Sequence, residues 1–176
     1  DQCGFQPTVL NVGGGLGVDY DHPDQELIPD FETYFGIFNK NLNYKPGQEI
    51  HFELGRALVA QCGHLISRIL YIKNGKKKNF MILDAGMTEL IRPALYQAYH
   101  KIENISKPEA LSTEIIKYDV VGPICESTDC FGQYIELPTS DRGDLIAIRS
   151  AGAYGEVLAS GYNLRDRVRA VYSSIM

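Results

Sequence analysis

Thr8-Val-Leu-Asn-Val-Gly-Gly-Gly-Leu-Gly17 joins a short, largely apolar run to a loop with four glycines in five positions. Residues 8–12 have the character of a strand buried on both faces, as in a parallel sheet. The glycines leave backbone N–H groups bare of side chains, so Gly13, Gly14 and Gly15 can wrap an anion such as a phosphate; a tight turn needing positive φ is the alternative. The loop lacks the lysine of a P-loop and the spacing of a dinucleotide fingerprint. Downstream, Leu27, Phe31, Tyr34, Phe35, Phe38 and Leu42 fall at steps of three and four. That spacing predicts a helix over 25–42 with its apolar stripe in the core. Lys45-Pro-Gly47 ends the helix, and Glu49-Ile-His-Phe-Glu-Leu54 predicts a second strand running into Gly55-Arg56. Strand, glycine loop, helix, strand and glycine again is the order of a parallel βα unit, whose ligands gather at the C-terminal ends of its strands. Both glycine turns are therefore expected on one rim.

The pattern changes after Arg56. Residues 57–63 predict a short connecting helix, and the apolar-rich runs 65–73 and 79–84 meet across Asn74-Gly75, a hairpin signal. Further strands are predicted at 114–121, 144–149 and 167–172, with shorter ones near 99–102 and 133–137. Strands without long intervening helices imply a mainly antiparallel second region. The chain thus divides into an α/β part over 1–60 and a β-domain over 61–176.

Composition narrows the function classes. Of 176 residues, 44% are hydrophobic and 22% charged, an ordinary balance for a soluble domain. A net charge of -5 and a pI near 5.4 argue against nucleic acid or an anionic membrane as a partner. Lys76-Lys77-Lys78 reads as the solvated end of the hairpin. No apolar run approaches the roughly 18 residues that span a bilayer, and no secretory signal opens the chain, so a cytoplasmic protein is expected. Cys3, Cys62, Cys125 and Cys130 lack paired C-x-x-C spacing, which favours reduced thiols and no metal site. Asp1 is not an initiator methionine and a strand begins almost at once. The expectation is the later part of a longer chain.

Three other stretches carry chemistry. Gly122-Pro-Ile-Cys-Glu-Ser-Thr-Asp-Cys130 puts a thiol, Cys125, and two carboxylates, Glu126 and Asp129, within five residues on a loop that Gly122 and Pro123 keep irregular. With a reference pKa of about 8.5, the Cys125 thiol can give a proton to a carbanion or, if activated, act as a nucleophile. Glu126 can hold a cationic group, and a buried cysteine beside a surface carboxylate is the plain alternative. Arg92 and Tyr96 are four apart; on a helical turn they share a face and can make a carboxylate clamp, a surface arginine beside a half-buried tyrosine being the alternative. In Gly152-Ala-Tyr-Gly155 small neighbours leave the Tyr154 hydroxyl open to a phosphate or a ring, with a simple core tyrosine as the alternative. Arg165, Arg167 and Arg169 read as the solvated face of a strand.

Asn11-Val-Gly-Gly-Gly-Leu-Gly17, Glu53-Leu-Gly-Arg56, Asp84-Ala-Gly-Met87, Ile91-Arg-Pro-Ala-Leu-Tyr96, Val121-Gly-Pro-Ile-Cys-Glu-Ser-Thr-Asp129, Gly143-Asp144 and Ala151-Gly-Ala-Tyr-Gly155 follow one another at workable spacing. In series they resemble the C-terminal half of the diaminopimelate decarboxylase family, over nearly all of the chain. The resemblance implies a fold type III, alanine-racemase-like pyridoxal 5'-phosphate enzyme: the C-terminal part of a (β/α)8 barrel followed by a β-domain. It implies that Gly13, Gly14, Gly15, Gly55 and Arg56 form the turns around the cofactor phosphate, that Tyr154 reaches the same cofactor, and that Glu53 pairs with the pyridine nitrogen. Arg56, Arg92, Tyr96, Glu126 and Tyr154 would bind substrate, the distal amino-acid end above all, and Cys125 would protonate the α-carbon after loss of carbon dioxide. The product would be L-lysine, made from meso-2,6-diaminopimelate for lysine biosynthesis. In this family the thiol loop serves the other subunit's active site, so a homodimer is implied.

The resemblance has two departures and two rivals. Leu54 stands where the family usually has proline. The family's Schiff-base lysine lies in a Tyr-x-x-Lys-Ala setting that no lysine here shares, so this chain alone is not expected to be a complete catalyst. One rival is a decarboxylase of the same fold acting on ornithine, arginine or carboxynorspermidine. The other is a catalytically inert binding or dimerisation fragment.

Overall fold

The computed structural model describes residues 4–26, 28–109 and 114–173. Leu27 and Cys3 lie outside them. Among the described residues, no helix is long and apolar enough to cross a membrane.

The chain forms β1 (Val9–Asn11), α1 (Phe31–Asn41), β2 (Glu49–His51), α2 (Arg56–Val59), β3 (Leu65–Asn74), β4 (Asn79–Leu83), α3 (Arg92–Tyr96), β5 (Ile102–Asn104), β6 (Ile115–Val121), β7 (Cys130–Pro138) and β8 (Leu145–Ile148). Strands β1 and β2 pair in parallel, Leu10 opposite Ile50. The others form one six-stranded sheet in the order β5-β8-β3-β4-β6-β7. Every neighbouring pair in it is antiparallel except β4 and β6, which run parallel with Met81 opposite Val120. The expected second region is therefore a mixed sheet. It is nearly closed, with edge strands β5 and β7 in contact across one remaining gap.

Period-two patterning places the core. In β3, Ser67 and Ile69 point inward and Ile66 and Arg68 outward, as alternation demands. A bulge between Ile69 and Tyr71 resets the register so that Ile72 also packs against the core. Ile69, Met81, Leu83, Tyr118, Val120, Ile146 and Ile148 are almost wholly buried, and Leu90 from the β4–α3 connection closes over them.

Several sequence expectations need correction. The helix predicted over 25–42 begins only at Phe31: Pro29 precedes the cap, and the Asp30 carboxylate accepts the Thr33 N–H at 2.9 Å. The described part of its stripe, Phe31 to Leu42, is half-buried, with Tyr34, Phe35 and Phe38 packed edge-on around the Phe52 ring. The strand expected near 99–102 lies at Ile102–Asn104. No strand forms over 167–172: Val168 and Val171 are exposed and the stretch pairs with no sheet edge. Arg165 is not on a solvated face, since it donates to the Asp84 carbonyl at 2.6 Å and to Glu89. Lys78 likewise leaves the hairpin tip to pair with buried Asp119 at 2.6 Å, over the Tyr134 ring.

Candidate active site

The parallel pairing of β1 with β2 brings the two glycine turns to one rim. Beyond the strands the ladder continues through Val12 N–H to the His51 carbonyl and Glu53 N–H to the Gly13 carbonyl, at 3.0 and 2.8 Å. A Cβ on residue 14 would stand 2.7 Å from the Glu53 carbonyl oxygen, so the close approach requires glycine. Gly13 and Gly15 have φ of 73° and 105°, the left-handed region that also favours glycine. Asn11 ties the turn to the carboxylate: its Oδ1 accepts the Gly13 N–H at 2.8 Å and its Nδ2 donates to Glu53 Oε1 at 2.6 Å. Gly13 therefore has no N–H to offer a ligand. The N–H groups of Gly15 and Gly17 have no partner among the described residues, and both glycines border open space.

That space is a hollow of about 340 Å³ lined by Gly15, Leu16, Gly17, Glu53, Leu54, Gly55, Arg56, Ala57 and Tyr154. Tyr154 arrives from the far end of the chain, after β8. The 151–155 stretch is fastened to the turn that follows α2 by Ala151 N–H to the Gly63 carbonyl and Gly152 N–H to the Ala60 carbonyl, at 2.7 and 3.0 Å. The Arg56 guanidinium lies over the Tyr154 ring, 5.5 Å from its centroid. A larger hollow of about 610 Å³ between β5 and β7 includes none of the predicted site residues.

Arg92 and Tyr96 lie on α3, as their spacing predicts, but their side chains part. Arg92 is 6% exposed and Tyr96 62%. Buried Arg92 joins a cluster instead. Its Nη1 donates to the Tyr20 phenol oxygen at 2.9 Å and to His100 Nε2 at 2.9 Å, and Arg56 Nη1 reaches the same phenol at 3.2 Å. His100 Nδ1 is 2.8 Å from the Arg149 carbonyl, which fixes the neutral tautomer with Nε2 as acceptor. Burial, together with the Arg92 and Arg56 charges, lowers the His100 pKa. Arg92 Nε is buried and has no partner among the described residues. Sequence reasoning missed Tyr20, His100 and the linking role of Asn11. Of these only Asn11 carried a local signal, an Asx residue two before a glycine.

The thiol loop is built on its second carboxylate. Asp129 is buried and accepts the N–H groups of Met87 and Ile124 at 2.6 and 2.7 Å, so it is the loop's anchor. Cys125 and Glu126 are exposed and do not line the glycine-rim hollow. Neither does Tyr96. The structure thus gathers Gly15, Glu53, Gly55, Arg56 and Tyr154, links Arg92 to them through Tyr20, and leaves Cys125, Glu126 and Tyr96 facing outward.

Residues 18–152 match the family model for the C-terminal sheet domain of pyridoxal-dependent decarboxylases. The chain belongs to the pyridoxal-dependent decarboxylases. It is 62% identical over 157 residues to a diaminopimelate decarboxylase of Bacteroides thetaiotaomicron, covering 89% of this chain and 40% of the relative. It therefore spans less than half the length of that relative. A crystal structure of Helicobacter pylori diaminopimelate decarboxylase complexed with L-lysine superposes with a TM-score of 0.71 at 43% identity, covering 88% of this chain and 36% of the other. The M. jannaschii diaminopimelate decarboxylase in co-complex with L-lysine gives 0.79 at 36% identity, over 94% and 38% of the two chains.

Proposed function

We propose that this chain is the C-terminal portion of a diaminopimelate decarboxylase that converts meso-2,6-diaminopimelate to L-lysine and carbon dioxide. In this reading residues 1–60 complete a (β/α)8 barrel and residues 61–176 form its β-domain, and the enzyme works as a cytoplasmic homodimer. One observation carries it: the glycine loop, the Arg56 turn and the late Tyr154 share one hollow, although they lie far apart in sequence.

The residues of the hollow suit pyridoxal phosphate. The unpartnered N–H groups of Gly15 and Gly17 and the Tyr154 hydroxyl are donors for its phosphate, and the Glu53 carboxylate, held by Asn11, is an acceptor for a protonated ring nitrogen. When bound, the cofactor supplies the sink for the electron pair that departing carbon dioxide leaves behind. Arg56 and Arg92 bind the carboxylate at the substrate's distal end, and the buried, unpartnered Arg92 Nε is a donor set aside for it. Glu126 takes the distal ammonium with Tyr96 beside it, and the Cys125 thiol delivers a proton to the α-carbon. The outward placement of Cys125, Glu126 and Tyr96 supports a site shared between subunits, in which this loop serves the partner's hollow.

The test is carbon dioxide release by the full-length protein, with pyridoxal phosphate, from meso-diaminopimelate, ornithine, arginine and carboxynorspermidine in parallel. Turnover of diaminopimelate with L-lysine as product is expected. Preference for a substrate without a second amino-acid head would overturn the reading in favour of a diamine-forming enzyme, and failure with all four would overturn it in favour of a catalytically inert binding or dimerisation role.

A further inference from the structure

We infer that Tyr20 is a positioning residue that assembles Arg56 and Arg92 into a single receptor for the carboxylate at the substrate's distal end. The inference deepens the proposed function and rests on it. The two guanidinium groups belong to different layers: Arg56 opens α2 just after the β1–β2 rim, and Arg92 opens α3 at the end of the six-stranded sheet. Two like charges at close range repel, and nothing in either helix fixes one relative to the other. The Tyr20 phenol does so. Its oxygen has two lone pairs and accepts one N–H from each guanidinium, at 3.2 Å from Arg56 and 2.9 Å from Arg92. Its ring adds a cation–π contact, with the Arg92 guanidinium carbon 5.0 Å from the ring centroid.

The donor count on Arg92 gives the arrangement its purpose. Nη1 carries two hydrogens, and Tyr20 and His100 take both. The donors left are Nε and Nη2, the pair that grips a carboxylate side-on in two parallel hydrogen bonds. Nε is buried and has no partner among the described residues. Tyr20 and His100 therefore clamp one side of the guanidinium and turn its free fork away from themselves. The His100 ring, edge-on to Tyr20 at 5.1 Å, is held in turn by the Arg149 carbonyl.

The support is rigid enough for the task. Tyr20 lies between the glycine loop and α1, in a segment strapped to the sheet domain on its far side. Gln61 Nε2 donates to the carbonyls of Pro23 and Glu26 at 3.1 and 2.8 Å, and Arg149 pairs with Asp24.

Tyr20→Phe in the full-length enzyme with pyridoxal phosphate keeps the ring and removes only the bridging oxygen. The expected result is a rise of about tenfold in KM for meso-diaminopimelate with kcat within a factor of about three, the mark of lost uniform binding. Calorimetric titration supplies a readout independent of turnover. L-lysine, which retains the distal carboxylate, should bind about tenfold more weakly to the variant, while cadaverine, which has no carboxylate, should bind as before. His100→Gln carries the same test from the second acceptor, should the Tyr20 variant fail to fold. Equal weakening of L-lysine and cadaverine, or a fall in kcat at unchanged KM, would overturn the positioning role while leaving the proposed function standing. A wild-type enzyme that turns over no diaminopimelate and does not distinguish L-lysine from cadaverine would overturn both.

Discussion

Gly55 and Tyr154 are fitted to each other: a Cβ on residue 55 would stand 2.7 Å from the Tyr154 phenol oxygen, inside any real contact distance. The missing side chain of one residue is the seat of the other's hydroxyl at the rim of the hollow. Gly55→Ala should displace the phenol, the mobile end of a side chain that is 41% exposed, and leave the fold intact. The expected outcome is a Kd for pyridoxal phosphate raised about tenfold, the value of one lost hydrogen bond to a charged group. Absorbance titration of the full-length apoenzyme checks it.

Gly152 packs against backbone, which cannot yield. A Cβ there would overlap the Val59 carbonyl oxygen and crowd Gly63 N and the Ala60 carbonyl oxygen. Gly152→Ala should therefore cost about 2 kcal/mol or more of stability, seen as a melting temperature lower by several degrees, where Gly55→Ala costs little. It should also weaken cofactor binding, because the same contact carries the 151–155 stretch into the hollow.

The acid dependence is set chiefly by His100, which is fully buried, with a smaller share from the exposed His64. His100 is lowered from 6.5 by burial first, then by the Arg92 and Arg56 charges, against the Arg149 hydrogen bond. His64 is lowered from 6.5 by burial and then by Arg149, against Asp24 and Glu103. As pH falls below 6.5 the unfolded chain takes up protons at these rings before the folded one does, so their contribution is present above that value and is lost toward the depressed folded values. Melting temperature should fall between about pH 7.5 and pH 5.5, and His100→Gln should flatten that fall relative to wild type. Asp129, raised from 3.8 by burial, tilts stability the opposite way as pH falls.

Cys125 is exposed on a loop whose geometry Asp129 holds from beneath. Cys125→Ala should leave melting within about 0.5 kcal/mol of wild type and lower kcat for diaminopimelate by about a hundredfold or more, the range of a lost general acid. Unchanged turnover would remove the proton-donor role.

What the sequence made legible was local. The strand into Gly13-Gly14-Gly15, the strand into Gly55-Arg56 and the hairpin at Asn74-Gly75 were all readable because each is written within ten residues or so. The helix start at Phe31 was misplaced because the stripe of apolar side chains was weighed above Pro29 and Asp30, which fix where a helix can begin. The alternating Arg167-Val-Arg-Ala-Val171 imitated a strand, yet a strand forms only where the fold brings the segment alongside a partner strand, and pattern alone does not say that it does. Tyr20 was invisible for a different reason. It meets Arg92 across 72 positions of chain, and only the fold brings a loop phenol, a helix-opening arginine and a strand-flanking histidine to one point. Arg92 with Tyr96 shows the converse: their spacing put both on one turn, and packing then buried one and exposed the other.

The most direct test of the account is a crystal structure of the full-length protein with pyridoxal phosphate. The account predicts the phosphate within hydrogen-bond distance of Gly15 N–H and the Tyr154 hydroxyl, with the Glu53 carboxylate facing the ring nitrogen. A phosphate bound elsewhere, with the hollow between Gly15, Arg56 and Tyr154 left to solvent, would contradict it.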